Sequence, residues 1–297
     1  MTIEVIIPAW KPGKELEELI SRLMRQRVRP DRIHIVNTDK KYWDPGLCDR
    51  WPQIEVTHIE KMEFDHGGTR DKAARESLAQ VFVFMTQDAL PADEHLLERL
   101  TEPFEADDKV GAVYARQLPR PDCRRIERFY RNFNYPDKST VRSQEDAAVF
   151  GIRTYFCSNV CAAYRADIYR KTGGFPSHAI FNEDMVCVGQ MLQQGYKVAY
   201  AAGARVIHSH NYTCAQQFRR NFDLGVSQTD FPGIFGGFVS EGEGLAMVRN
   251  NAGHLIREGH PFEVGYLILQ SAAKYAGYRL GKHYRTLPGS VIRRCTM

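Results

Sequence analysis

The feature that most constrains the fold is Val81-Phe82-Val83-Phe84-Met85, five consecutive apolar residues with no polar alternation. A strand of this kind is buried on both sides, so its sheet needs helices on both faces. The neighbouring chain supplies them. Ile3 to Ile7, Ile33 to Val36, Ile54 to Ile59 and Val110 to Ala115 are β-rich runs. Between them Leu16, Leu19, Ile20 and Leu23 recur at the helical period, a helix is predicted from about Thr69 to Ala79, and another carries Leu96, Leu97, Leu100 and Phe104. The alternation predicts an α/β, Rossmann-like fold with a mostly parallel sheet, whose ligands sit beyond the carboxyl ends of the strands.

From Pro119 to about Phe150 the periodicity dissolves into a polar stretch holding Phe129, Tyr130, Phe133 and Tyr135, read as an acceptor-binding insertion or a surface excursion. Ser158 to Tyr164 is a predicted strand. A helix is expected to open with Asn182 as N-cap and Glu183 and Asp184 in its first turn, and to end at Gly195. Tyr196 to Tyr200 and Arg205 to His208 are predicted short strands, and the chain after Thr213 is helical. The expected division is a catalytic domain over 1–230, with a nucleotide-binding half at 1–115 and an acceptor-binding half at 116–230, and a C-terminal helical region over 231–297.

A chain of 297 residues, 43% of them hydrophobic, can bury a large core. Forty basic residues against 36 acidic ones are interspersed rather than blocked, which gives no reason to invoke nucleic acid. The N-terminus lacks the basic and long apolar regions of a signal peptide, and no run approaches the ~20 apolar residues of a spanning helix, so a cytoplasmic protein is expected. Seven scattered cysteines without a C-x-x-C pair suit reduced thiols. The basic, aromatic C-terminal segment around Tyr275, Tyr278, Arg279, Lys282, His283, Tyr284 and Arg285 suits a peripheral contact with an anionic membrane face, a second subunit, or packing on its own domain.

Four constellations carry chemistry. Thr86-Gln87-Asp88 places a carboxylate at the end of the buried strand, where it is either an oxygen ligand for Mg²⁺ or Mn²⁺ or a cap on the next helix. Glu183-Asp184 opens a helix; side chains about 100° apart let one face a cleft, and the plain alternative is complementing the helix dipole. His208-Ser209-His210 puts two imidazoles on one face of a strand end, as metal ligands or structural residues. Asp65-His66-Gly67-Gly68-Thr69-Arg70 starts a helix with glycines and a guanidinium, which suits an anion, and Arg219 and Arg220 either clamp a diphosphate or decorate a helix.

Taken in order, Ile-Ile-Pro-Ala-Trp at 6–10, Ile-Val-Asn-Thr-Asp at 35–39, His-Gly-Gly-Thr-Arg at 66–70, Thr-Gln-Asp-Ala at 86–89, Asn-Glu-Asp at 182–184 and His-Ser-His at 208–210 resemble the inverting GT-A-type glycosyltransferases of family 2 that include bacterial rhamnosyltransferases. The likeness covers roughly residues 2–230, and the tail Lys274 to Gly281 is similar to the rhamnosyltransferase branch. The resemblance implies a nucleoside pocket at Pro8, Ala9 and Trp10 with Asn37 and Asp39 nearby. It implies nucleotide-sugar contacts from His66, Gly67, Thr69, Arg70, Gln87 and Asp88, and a leaving diphosphate steadied by Arg219 or Arg220. It further implies a Mn²⁺ or Mg²⁺ site of Asp88 with His210 and His208, and Asp184 as catalytic base supported by Glu183. Two positions depart from the family pattern: Thr86 replaces the first Asp of its Asp-x-Asp motif, and Asn37-Thr38 stands where acidic residues are common.

One base without an enzyme nucleophile implies single displacement with inversion, from a nucleotide-linked rhamnose to an α-linked product. The expected partners are a nucleotide-sugar donor and a polysaccharide or lipid-linked saccharide acceptor, at the inner face of the plasma membrane. Two rivals are a sugar nucleotidyltransferase, whose Gly-x-Gly-Thr-Arg loop would follow the first strand rather than the third, and a noncatalytic nucleotide-sugar-binding protein.

Overall fold

The computed structural model describes residues 1–238 and 241–297. Its strands are β1 (Ile3–Trp10), β2 (Arg32–Thr38), β3 (Ile54–Ile59), β4 (Val81–Met85), β5 (Leu90–Pro91), β6 (Val110–Leu118), β7 (Thr140–Arg142), β8 (Cys161–Arg165) and β9 (Lys197–Ile207). The helices are α1 (Lys14–Met24), α2 (Gly46–Arg50), α3 (His66–Glu76), α4 (Leu96–Ala106), α5 (Arg125–Asn134), α6 (Ala147–Phe150), α7 (Ala166–Thr172), α8 (Glu183–Gln193), α9 (Cys214–Asp230), α10 (Pro232–Phe235), α11 (Glu241–Arg257), α12 (Glu263–Lys282) and α13 (Gly289–Cys295). Met1–Leu118, Tyr135–Ala179 and Glu183–His208 form one compact unit; Pro119–Asn134, Ile180–Asn182 and Ser209–Met297 form a second.

The first unit holds one sheet in the order β3-β2-β1-β4-β8-β6-β9-β5, with β7 paired to β9. Side chains alternate along β1: Ile3, Val5 and Ile7 join Leu16, Leu19, Ile20 and Leu23 of α1 and Leu97, Leu100 and Phe104 of α4 in one core, and Ile6 points to the opposite face. On that second face Phe82, Phe84, Tyr164, Tyr169 and Phe175 pack edge to face and stacked, with ring centroids 4.9 to 6.3 Å apart. The unbroken apolar run of β4 is thus explained, since both its faces are covered.

The sheet is less parallel than expected. β3, β2, β1 and β4 run parallel, but β8 inserts antiparallel between β4 and β6, and β6 pairs in parallel with β9. Cys161 at the start of β8 lies opposite Met85 at the end of β4, so β8 enters the sheet at the edge where β4 leaves it. The two predicted strands at 196–200 and 205–208 are one strand, β9, whose register against β6 shifts between Ala115 and Arg116. Trp10, Thr38, Met85, Leu118 and Ile207 end strands, and Cys161 begins one, at a single edge of the sheet. The candidate residues of this unit lie at the ends of β1 and β2, just after β2, β4 and β9, and in the first turns of α3 and α8.

Further corrections are local. Helix α3 begins at His66, three residues before the expected start, because Asp65 caps it through bonds from the Gly67 and Gly68 N–H groups. Asn182 precedes α8 at φ 60°, not the extended conformation of a capping residue. The C-terminus of α8 is as expected: Gly195 at φ 84° lets its N–H reach Leu192 and the Tyr196 N–H reach Met191. The stretch read as irregular contains α5, which belongs to the second unit.

That second unit is helical. Gly225, Gly277 and Gly281 let α9 and α12 touch backbone to backbone; a Cβ on Gly277 would lie 2.1 Å from the Phe218 carbonyl oxygen, and one on Gly281 2.1 Å from that of Phe222. Contact of this intimacy groups α9 with α12 in one unit. Ile126 and Tyr130 of α5 bury against Leu255 of α11 and Leu267 of α12.

Candidate active site

Asp184 sits in the first turn of α8 with both carboxylate oxygens engaged by backbone: Oδ2 accepts from Asn159 N at 2.9 Å and Oδ1 from Met185 N at 2.8 Å. Its neighbour Glu183 is buried, accepts from Asn159 Nδ2 at 3.1 Å, and pairs with Arg70 Nη1 at 3.3 Å. Tyr164 Oη donates to Asn159 Oδ1 at 2.7 Å and so fixes the amide between the two acids. Burial, followed by the charge of Glu183, lifts the Asp184 carboxyl to about 7, against the lowering effect of the two N–H groups and Arg70. Asp184 as a residue is half-buried. A carboxyl that exchanges its proton near neutrality is suited to general-base work.

Across the same edge, His208 and Asp88 face each other. Gln117 Nε2 donates to Tyr135 Oη at 2.6 Å and Ser158 Oγ at 3.0 Å, which turns its Oε1 toward His208 Nδ1 at 3.1 Å. With Nδ1 as the donor, Nε2 carries the lone pair, and it points at Asp88 Oδ2 across 3.5 Å. Two acceptors at that separation can share a proton or a metal cation. An imidazole oriented by an outer hydrogen bond beside a carboxylate is a donor set that divalent Mn²⁺ or Mg²⁺ accepts. His210 follows two residues later, in the second unit, with its ring 5.1 Å from that of Tyr212.

The glycine loop differs from its expected use. Its Gly67 and Gly68 N–H groups bind Asp65, whose Oδ2 also accepts from His178 N at 2.7 Å, so the chain's own carboxylate fills the place of an external anion. Gly67 is required for packing, since a Cβ there would meet the Pro176 carbonyl oxygen at 1.8 Å. Thr69 Oγ1 accepts from Asp65 N at 3.0 Å, and exposed His66 packs edge-on against Phe64. Arg70 turns inward to Glu183 and to the His66 carbonyl at 2.9 Å, serving the acid pair rather than a phosphate.

At the ends of β1 and β2, Gln87 clamps Trp10 by bonds to its N (3.0 Å) and O (3.1 Å). Trp10 is 49% exposed, with Lys11 and Lys61 ammonium groups 4.8 and 5.6 Å from its ring. Asn37 is fully buried and spends its amide on the Asp39 carbonyl and His58, so it shapes the loop and does not face solvent. Asp39, at φ 62°, accepts from Lys61 N at 3.2 Å. Pro8 is half-buried and Ala9 buried. In the second unit Arg219 is exposed, and the Arg220 guanidinium lies 4.6 Å from the Phe181 ring and 5.7 Å from that of Tyr212. Asn159 and Gln117, which orient the acids and the imidazole, escaped the sequence reading; their only signal is an amide within otherwise apolar strands and strand ends.

Residues 4–173 match the family described as glycosyl transferase family 2. The chain is 39% identical to the O-antigen chain rhamnosyltransferase RfbN of Salmonella typhimurium, over 100% of this chain and 95% of that protein. It is 37% identical to the O-antigen chain rhamnosyltransferase WbaN of Salmonella anatum, over 99% and 93%. Among solved structures, the mannosyltransferase PcManGT of Pyrobaculum calidifontis, determined with GDP-mannose and Mn²⁺, superposes with a TM-score of 0.63 at 16% identity, covering 94% of this chain and 86% of its own.

Proposed function

Because the chain belongs to glycosyl transferase family 2, we propose that it transfers L-rhamnose from dTDP-L-rhamnose to a hydroxyl of a polysaccharide or lipid-linked saccharide by single displacement with inversion. The observation that carries this reading is Asp184, a half-buried residue whose carboxyl is poised near pH 7 by burial and by Glu183. Each of its oxygens uses one acceptor position on a backbone N–H and keeps another for the incoming proton. The acceptor hydroxyl gives that proton to Asp184 as its oxygen bonds to the anomeric carbon, while the bond to the β-phosphate breaks and its electron pair leaves with the nucleotide diphosphate. The full-length likeness to two O-antigen chain rhamnosyltransferases supports rhamnose as the sugar.

Asp88 and His208 would hold Mn²⁺ or Mg²⁺, which when bound neutralises charge growing on the leaving diphosphate. Trp10, with Pro8, Ala9, Gln87 and Asp39, would receive the nucleoside, and Arg219 or Arg220 would steady the phosphates. Glu183 and Arg70 are positioning residues that set the charge and orientation of the base. Asp184→Asn keeps the shape of the base and removes its proton affinity. It is expected to retain calorimetric binding of the nucleotide sugar and to lose at least about 10²-fold in transfer rate; transfer at the parental rate overturns the proposal. Titration of nucleotide sugars with and without Mn²⁺ tests the donor and the metal together.

No described helix is long and apolar enough to cross a membrane. Peripheral contact on the cytoplasmic face is assigned to α12, where Ile268, Leu269 and Tyr275 are more than half exposed on one stripe that also holds Ala272 and Ala276. Residues 274–297 follow with six Lys or Arg and no acid, a combination that suits anionic lipid.

A further inference from the structure

We infer that the second unit carries its own saccharide subsite, a groove that holds at least two sugar units of the acceptor. Two cavities of about 470 and 450 Å³ lie in this unit and share Arg125, each within the ~300–1,000 Å³ of small-molecule pockets. The larger is walled by Arg124, His210, Tyr212, Phe262, Tyr266 and Gln270; the smaller is bounded by Phe129, Phe133 and His254.

The walls are held rigidly. Arg125 pairs with Glu263 at 2.7 Å, Asn211 Oδ1 accepts from Arg124 N at 2.9 Å, Tyr266 Oη accepts from Arg124 Nη1 at 3.4 Å, and Gln270 Nε2 donates to the Tyr212 carbonyl at 3.3 Å. These pairings also decide the ligand class. Arg124, Arg125 and Arg128 of the lining are matched in number by Glu127, Glu258 and Glu263, with Glu263 paired to Arg125, so the groove presents little net charge and does not suit a diphosphate. What it presents are aromatic rings beside amide and hydroxyl groups, the surface that fits the apolar face and hydroxyl rim of a pyranose. Phe262, 97% exposed at the mouth of the larger cavity, is left uncovered by its own unit, as a stacking platform would be.

The role of this ligand as acceptor rests on the proposed transferase reading, whereas its binding does not. The test uses saturation-transfer NMR on the full chain with methyl glycosides of rhamnose, mannose, galactose and N-acetylglucosamine, and with disaccharides built from them. At least one is expected to bind, disaccharides more tightly than single sugars, with Phe262→Ala and Tyr266→Ala each weakening binding about tenfold or more. Phe262→Ala removes an exposed ring, so its melting temperature should match the parent's. No binding by any saccharide, equal binding by both variants, or displacement of the saccharide by a nucleoside diphosphate each overturns the inference. Failure of the transferase reading shows separately, as absence of nucleotide-sugar binding while saccharide binding persists.

Discussion

Asp184 and Glu183 are adjacent in sequence yet have opposite tasks, because the helix turns their side chains into different surroundings. Glu183 is compensated by Arg70 and Asn159, and its charge helps keep the proton on Asp184. The rate constant kcat/KM should therefore rise with pH along an acid limb centred near 7, measured from steady-state rates across pH. Arg70 lowers that value, so Arg70→Met should move the limb to higher pH; a limb that stays in place would detach Arg70 from the base. The sign for stability is fixed by the same shift: the folded state keeps this proton up to about 7 where an unfolded Asp has lost it near 3.8, so the group's contribution to stability falls as pH rises through that window. His208 offers a parallel case. Gln117→Ala removes the bond that fixes its tautomer and should weaken Mn²⁺ binding by about 10- to 100-fold by calorimetry.

At the scale of elements, glycine has two distinct meanings in this chain. In the pairing of α9 and α12, Gly277 stands where a Cβ would collide with backbone, so Gly277→Ala should destabilise the protein by about 1–3 kcal/mol or more in denaturant unfolding. Gly253 of α11 has only the end of the Arg257 side chain nearby, at 3.8 Å, and Gly253→Ala should stabilise by about 0.5–1 kcal/mol. The strands β3 and β4 match their sequence expectations residue for residue, for different reasons: β4 is an unbroken apolar run that only a strand buried on both faces satisfies, whereas β3, Ile-Glu-Val-Thr-His-Ile at the end of the sheet order, alternates apolar and polar residues and buries only Ile54. The start of α3 was misplaced because glycines at 67 and 68 weaken the local helix signal, while the side-chain cap from Asp65 restores it. Lys274, within a tail that reads as basic surface, lies 4.0 Å from the Tyr130 ring, and burial lowers its ammonium to about 8.

For the whole molecule, charge is divided unevenly. The second unit carries fifteen Lys and Arg against eight Asp and Glu, and the first 25 against 28, so the net positive charge of +4 resides entirely in the helical unit. Cosedimentation with vesicles should accordingly need anionic lipid and fall at high salt, since exposed charges are screened within about a 10 Å Debye length at 0.1 M. Leu269→Glu, on the exposed face of α12, should reduce vesicle binding without altering the melting temperature; salt-independent binding, or a dimer that buries this face, would reassign the stripe to a second copy of the chain.

The sequence by itself determined the strands and helices, through hydrophobic period and runs, and it determined which residue types stand at element ends: Trp10, Asp88 and His208 at or just after strand ends, and Asp184 at a helix start, are all marked by position. Only the tertiary structure decided what those residues do with one another. That the His178 N–H also reaches Asp65, that Arg70 turns to Glu183, that Asn159 binds Glu183, and that Gln117 aims a lone pair of His208 at Asp88 are outcomes of side-chain contacts between segments 24 to 113 residues apart in the chain. Periodicity reports the burial of a face, a local property; the partner of a buried polar group depends on which distant segment the sheet order brings alongside, and no local pattern encodes that order.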